Sequence, residues 1–174
     1  DTLPLTTFKY NTNPKYLTLD FDKNTVQLKS YTPSATFFLE STQLTKEYLR
    51  FETNKADLNL NDNTIYIGGI NELKLADSKV LPSNNEIYIE ADGSIRLLKN
   101  SVVIFNANKQ YHKITNAEIE VLSKNKFQGS GIYTFKTVDD IIQQIPIAKI
   151  DVDNSVKKEI VKEEGKSKTK IKVS

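Results

Sequence analysis

"NAEIEVLSKNKFQGSGIYTF", Asn116 to Phe135, is the stretch whose reading decides the fold. In its first half Ile119 and Val121 fall on one side of an extended chain, Glu118 and Glu120 on the other. Alternation with a period of two marks a strand with one buried and one wet face. The cluster "KNKFQGSG" follows, and Tyr133 and Phe135 resume an alternating run. The stretch reads as two strands around a glycine turn, with Gly129 and Gly131 permitting a tight or bulged reversal.

The same rhythm runs through most of the chain. "YLTLDF" sets Leu17, Leu19 and Phe21 on one face, and "NTVQLKS" does so with Val26 and Leu28. "ADLNLNDNTIYIGG", "ELKLADSKV" and "NEIYIEADGSIRLL" repeat it. Between these runs lie "DKN", "NDN", "PSNN", "ADGS" and "NANKQ", made of residues that tolerate positive φ or bond their own backbone. One phrase recurs: "DKNTVQL" from Asp22, "DNTIYI" from Asp62 and "DGSIRLL" from Asp92. Each is an acid, a small polar step and then a β-branched residue entering a strand, which reads either as a degenerate repeat or as the common reuse of Asp-rich turns.

Helical signals are few. "TVDDIIQQIP" offers Thr137 as an N-cap, with Val138, Ile141, Ile142 and Ile145 at helical spacing before Pro146, and predicts a short helix near 138–144. "STQLTKEYLRF" fits a helical face through Leu44, Tyr48 and Phe51, which strand pairing can override. The expected fold is all-β, with short antiparallel or solenoid-like strands stacked in an elongated β-jellyroll or β-solenoid. Residues 1–153 read as a single β domain. Residues 154–174 read as a charged C-terminal segment, either a truncated strand or a flexible tail, since Ile171 and Val173 alternate without an evident partner.

Composition narrows the function classes. Of 174 residues 38% are hydrophobic and 26% charged, enough apolar content to bury a core. The net charge of +2, from 24 basic and 22 acidic residues, gives no argument for nucleic acid or an anionic membrane. Without Cys there is no disulfide framework, thiolate metal site or thiol nucleophile, and no run is long enough for a membrane helix.

Several segments resemble a recurrent section of large, uncharacterised exported proteins of Bacteroidetes. The matching pieces are Ala76-Asp77, Pro82, "LKNSVVIFNA", "YHKITNAEIEV" and "FQGSGIYTF", and the resemblance covers roughly Leu5 to Asp153. It implies export, a larger parent protein and repetitive β architecture, and it carries no catalytic residues. At the level of fold the chain is more distantly similar to lipopolysaccharide-transport β-jellyroll domains.

Each candidate for chemistry has a plainer structural reading. His112 in "QYHKITN" is alone, so it makes no multi-histidine metal site, and it reads as a residue at a strand start bonding nearby backbone. Asp20, Asp22 and Asn24 match the first spacings of a calcium loop, but Thr25 stands where Gly is needed and Tyr31 where Glu is needed. Glu118 and Glu120 lie about 6.6 Å apart along a strand, a separation suited to glycoside hydrolysis, yet alternation turns both to water. Tyr66 and Tyr88, each in "IYI", share an outward face and are the candidate ligand-binding pair.

The expectation is a non-enzymatic structural or assembly section of an exported cell-envelope protein, periplasmic, outer-membrane-associated or at the cell surface. It needs no metal and no cofactor. Its partners are other β segments, met through strand edges. The alternative is a lipid- or carbohydrate-binding β module of the envelope. Nucleic acid and a transmembrane segment are not expected.

Overall fold

The computed structural model describes the backbone of residues 3–5, 8–107, 109–137, 139–155, 157–163 and 166–172, and side chains within 8–155 apart from 44, 108 and 138. The described residues are all-β. The strands are β1 (Leu3–Leu5), β2 (Tyr10–Thr12), β3 (Tyr16–Asp20), β4 (Thr25–Lys29), β5 (Phe37–Ser41), β6 (Arg50–Thr53), β7 (Lys55–Asn59), β8 (Thr64–Gly68) and β9 (Leu73–Leu75). They continue as β10 (Ser78–Leu81), β11 (Glu86–Ile89), β12 (Leu98–Ala107), β13 (Gln110–Ser123), β14 (Lys126–Lys136), β15 (Ile142–Asp153), β16 (Lys157–Glu163) and β17 (Lys166–Lys172).

Pairing is antiparallel throughout and builds three larger sheets. Their orders are β1-β2-β5-β6, β11-β8-β7-β4-β3 and β15-β14-β13-β12-β10-β9. The chain lays hairpins alternately into different sheets. The passage from the four-stranded to the five-stranded sheet takes one residue, Asn54, between β6 and β7. Thr53 Oγ1 secures this corner, its single hydroxyl proton lying between the carbonyls of Gly68 (2.5 Å) and Lys55 (2.9 Å). Gly69, at φ +75°, leaves no room for a Cβ, which would lie 2.6 Å from Asn54 Oδ1.

The inward residues of all three sheets meet in one contiguous hydrophobic cluster. Leu39 and Phe51 come from the first sheet, Leu28, Leu58 and Ile67 from the second, and Val80, Ile119 and Phe127 from the third. Strand alternation places them there, because the residues between them are polar and face out. Among the described residues the sheets neither close into a barrel nor stack as a solenoid.

The recurring Asp phrase has a structural counterpart. Asp20 Oδ1 accepts from the Lys23 N–H (3.0 Å), Asp62 Oδ1 from Thr64 N–H (3.0 Å) and Asp92 Oδ1 from Ser94 N–H (2.8 Å). In the first copy the capping acid is thus Asp20 and not Asp22. These bonds, with those from the Thr64 and Ser94 hydroxyls, hold all three carboxyls below the usual carboxylate range. All three turns sit at the same end of the five-stranded sheet, and Asn24 Nδ2 donates to Asn61 Oδ1 (2.8 Å) between two of them.

Three sequence expectations are corrected here. First, no helix occupies 138–144. Val138 lies outside the described residues, Ile142 begins β15, and Lys136↔Ile142 and Phe135↔Gln143 pair across a hairpin. Thr137 does cap, taking the Ile141 N–H on Oγ1 (3.1 Å), but it caps a loop. Ile141, Ile142 and Ile145 are exposed, so a helical apolar stripe here would have had nothing to pack against. Likewise "STQLTKEYLRF" makes only a 3-10 turn at Leu44–Lys46 before β6 resumes the sheet. Second, Gly129 and Gly131 are not in a turn. The reversal falls between Ser123 and Lys126, which pair, and both glycines lie inside β14. Third, the segment containing Ile171 has a partner, since β17 pairs with β16 from Lys157↔Lys172 to Glu163↔Lys166. Val173 and the side chains of 156–174 lie outside the described residues.

Register shifts cross the six-stranded sheet close together. They fall between Leu98 and Ser101 in β12, between Thr115 and Glu118 in β13, and between Gly129 and Gly131 in β14. Asn100 (φ 52°) and Asn116 (φ 47°) take the left-handed conformation that such irregularities need. Phe105 of β12 and Phe127 of β14 line one cleft on this sheet. Among the described residues no helix is long and apolar enough to cross a membrane.

Candidate functional site

Tyr66 and Tyr88 are a direct cross-strand pair on β8 and β11, with ring centroids 5.3 Å apart. They share the outward face that alternation assigns them. The row extends at both ends, with Lys55 Nζ 5.4 Å from the centre of the Tyr66 ring and Arg96 Cζ 4.6 Å from that of Tyr88. Lys55 also pairs with Asp57 (3.0 Å) and Arg96 with Glu90. Tyr66 Oη donates to Glu86 Oε1 (2.9 Å), and desolvation together with that carboxylate pushes its phenol up to about 12. The rings therefore serve one another and flanking cations, the arrangement that cross-strand packing and cation–π attraction produce without a ligand.

His112 is the third residue of β13 and lies opposite Phe105 of β12, their rings 5.2 Å apart and nearly parallel. Its Nδ1 is 2.7 Å from Tyr133 Oη. The expected bond to backbone is replaced by this side-chain pair, because β14 brings the Tyr133 phenol within reach. The three rings form a packed end to the six-stranded sheet.

Glu118 and Glu120 are both exposed, alternating with buried Ile119 and Val121. Glu120 accepts from Gln128 Nε2 across the ladder. Both line an open surface cleft of about 280 Å³ with Gln128 and Lys149, and both remain exposed to water there. Changing either to Gln is expected to alter stability by no more than about 0.5 kcal/mol, as at other wet positions. Urea unfolding of the two variants checks this, and a loss well beyond that figure in either one would refute it.

Asp20 is engaged by Lys23 at two points, the backbone N–H (3.0 Å) and Nζ (3.4 Å), while Asn24 bonds the neighbouring turn. The calcium-like spacing is thus a hairpin closure. Among the described residues no three His, Cys, Asp or Glu side chains gather as metal ligands.

Two surfaces escaped the sequence reading. The first is the free edge of β3. Leu17 and Leu19 stand opposite Leu28 and Val26 in register and so belong to the core-facing side. Yet Leu17 and Leu19 are 46% and 51% exposed, while Leu28 and Val26 are 0% and 8%. The alternation that predicted their burial is correct in direction, but β3 is the last strand of its sheet and none of the described residues pairs with its outer edge. Phe21 lies just beyond the strand, in the turn, and is 87% exposed. The second surface surrounds Tyr31, 70% exposed in the loop after β4 and stacked on Tyr16 with ring centroids 6.3 Å apart. The available signal was an aromatic inside a turn cluster, "SYTPS", where alternation gives it no core to enter.

The six-stranded sheet also holds an apolar cleft of about 280 Å³, lined by Val103, Phe105, Ile114, Phe127, Ile147 and Val152 among others. The chain matches no family model, no curated protein and no solved structure.

Proposed function

We infer that this chain is a non-enzymatic structural or assembly section of a large exported cell-envelope protein, and that it joins a further β segment through the open edge of β3. The observation that carries this reading is the exposure of Leu17 and Leu19 on a core-facing register. An uncovered edge presents unpaired backbone groups, and a strand added there would satisfy them while covering the leucines. The site chemistry agrees, since the titratable groups singled out from sequence are used in turns, ladders and ring packing.

Without that partner the isolated chain has only its own edges to pair with. It is expected to self-associate with rising concentration in sedimentation velocity, and Leu17→Lys with Leu19→Lys is expected to keep it monomeric at unchanged thermal stability. Charges on an edge are the usual block to such pairing. A wild-type chain that stays monomeric at high concentration, or a double variant that associates equally, would count against the reading.

A second reading, a ligand-carrying envelope module, draws support from the apolar cleft of the six-stranded sheet. Its volume of about 280 Å³ lies just under the roughly 300–1,000 Å³ of ordinary small-molecule sites. Carriage of a long acyl chain favours a continuous groove, whereas the interior between the sheets is filled by interlocking Ile, Leu and Phe side chains.

A further inference from the structure

We propose that the surface around Tyr31 is a binding site for acidic polysaccharide. Tyr31 stands between two open clefts of about 330 and 300 Å³, the first mainly polar and the second mainly apolar, and lines both. Hydroxyls and amides surround it: Ser30 and Thr36 line the first cleft, and Thr32 and Asn54 the second. Lys15 lines one cleft and Lys29 the other, and no carboxylate lines either. Neither Lys15 nor Lys29 takes part in an ion pair among the described residues, unlike Lys55 beside them, which is held by Asp57.

These parts suit a pyranose bearing an acid group. One face of the sugar ring presents C–H bonds whose positive hydrogens pack against the negative face of an aromatic ring. The ring hydroxyls need donors and acceptors in the same place. An acidic substituent needs a cation to face it, and Lys15 and Lys29, which make no ion pair among the described residues, supply one in each cleft. The tyrosine row on β8 and β11 lacks this combination, since its cations are already paired and lie over its rings.

The loop that carries Tyr31 is built to hold it. Ser30 N–H donates to the Asn54 carbonyl (3.1 Å), Asn54 Nδ2 to the Pro33 carbonyl (2.9 Å) and Ala35 N–H to the Thr32 carbonyl (3.1 Å). The Ser30 hydroxyl donates to Thr32 O (2.6 Å). An aromatic fixed in this way loses little freedom when a ligand arrives, which is the condition for binding on a small contact area. The stacked ring platform is separate from the edge pairing inferred for Leu17 and Leu19, whose side chains point to the face of β3 opposite Tyr16, on which Tyr31 stacks.

Affinity electrophoresis of the full chain through gels containing polygalacturonate, dextran sulfate, neutral dextran or polyphosphate tests the proposal. Retardation is expected with polygalacturonate, dextran sulfate or both, the two separating a carboxylate from a sulfate ester as the acid recognised. Neutral dextran and polyphosphate are expected to leave mobility unchanged. Tyr31→Ala is expected to weaken the retardation about tenfold, and Lys15→Gln with Lys29→Gln to remove most of its salt dependence. Tyr88→Ala and the Leu17→Lys, Leu19→Lys double variant are expected to bind as wild type. Equal retardation by polyphosphate would reduce the effect to bare charge. No retardation by either acidic polysaccharide, equal retardation by neutral dextran, or an unaffected Tyr31→Ala variant would also overturn the proposal.

Discussion

Ile119→Asp is expected to abolish cooperative folding. Ile119 has no solvent exposure, lies opposite Leu98 on one side and Gly129 on the other, and belongs to the cluster shared by all three sheets. The substitution removes an aliphatic side chain and leaves a carboxylate among apolar neighbours with no cation in contact. Burying that charge, or protonating it to avoid doing so, costs several kcal/mol, and the lost packing adds about 2–5 kcal/mol. The sum rivals the roughly 5–15 kcal/mol that holds an ordinary domain together. Thermal and urea unfolding followed by circular dichroism would show no sigmoidal transition. A transition within a few degrees of wild type would mean that the three sheets do not depend on a common core.

Gly129→Ala is expected to have the second-largest effect, about 1–3 kcal/mol or more of lost stability, although it adds a single methyl group. A Cβ at this position would lie 2.1 Å from the carbonyl oxygen of Glu118 and 2.8 Å from Ile119 Cδ1. The first obstacle is backbone within the β13–β14 ladder, so relief requires the two strands to part. Gly68→Ala is the matched control. There the nearest atom is Tyr66 Oη at 2.9 Å, the far end of a side chain that can turn aside. Denaturant midpoints of the two variants decide the point, and equal losses would show that crowding at Gly129 is not what fixes the residue.

That glycine shows where the sequence stops being legible. Alternation identified β3, β4, β7, β8, β11 and β13 and the inward faces of Leu28, Leu58, Ile67 and Ile119, because period and burial are local properties. It also turned Glu118, Glu120, Tyr66 and Tyr88 outward correctly. It could not say that Gly129 sits mid-strand, since a glycine required by a neighbouring backbone and one required by a turn look alike in one dimension. The isoleucines at 141, 142 and 145 satisfied a helical spacing and an extended one together, and pairing with β14 settled the conflict. Exposure at Leu17 and Leu19 was equally hidden, because whether a strand lies at an edge depends on the strands beside it. The loop around Tyr31 is hidden for a related reason: alternation assigns faces only to residues in regular strands, and this ring stands outside one.

The order in which hairpins join the sheets bears on how the chain reaches its fold. In each larger sheet a new strand is added beside strands that precede it or directly follow it, and no ladder pairing among the described residues reaches farther along the chain than Thr25 to Asn59. An all-β chain usually waits on distant segments to find one another, and its folding slows accordingly. Here β7 meets β4, β11 meets β8, and β13, β14 and β15 zip in succession. A chain released from its N-terminal end could begin to pair as it emerges, each hairpin finding its docking edge already laid down, with little apolar strand left waiting for a partner still to come.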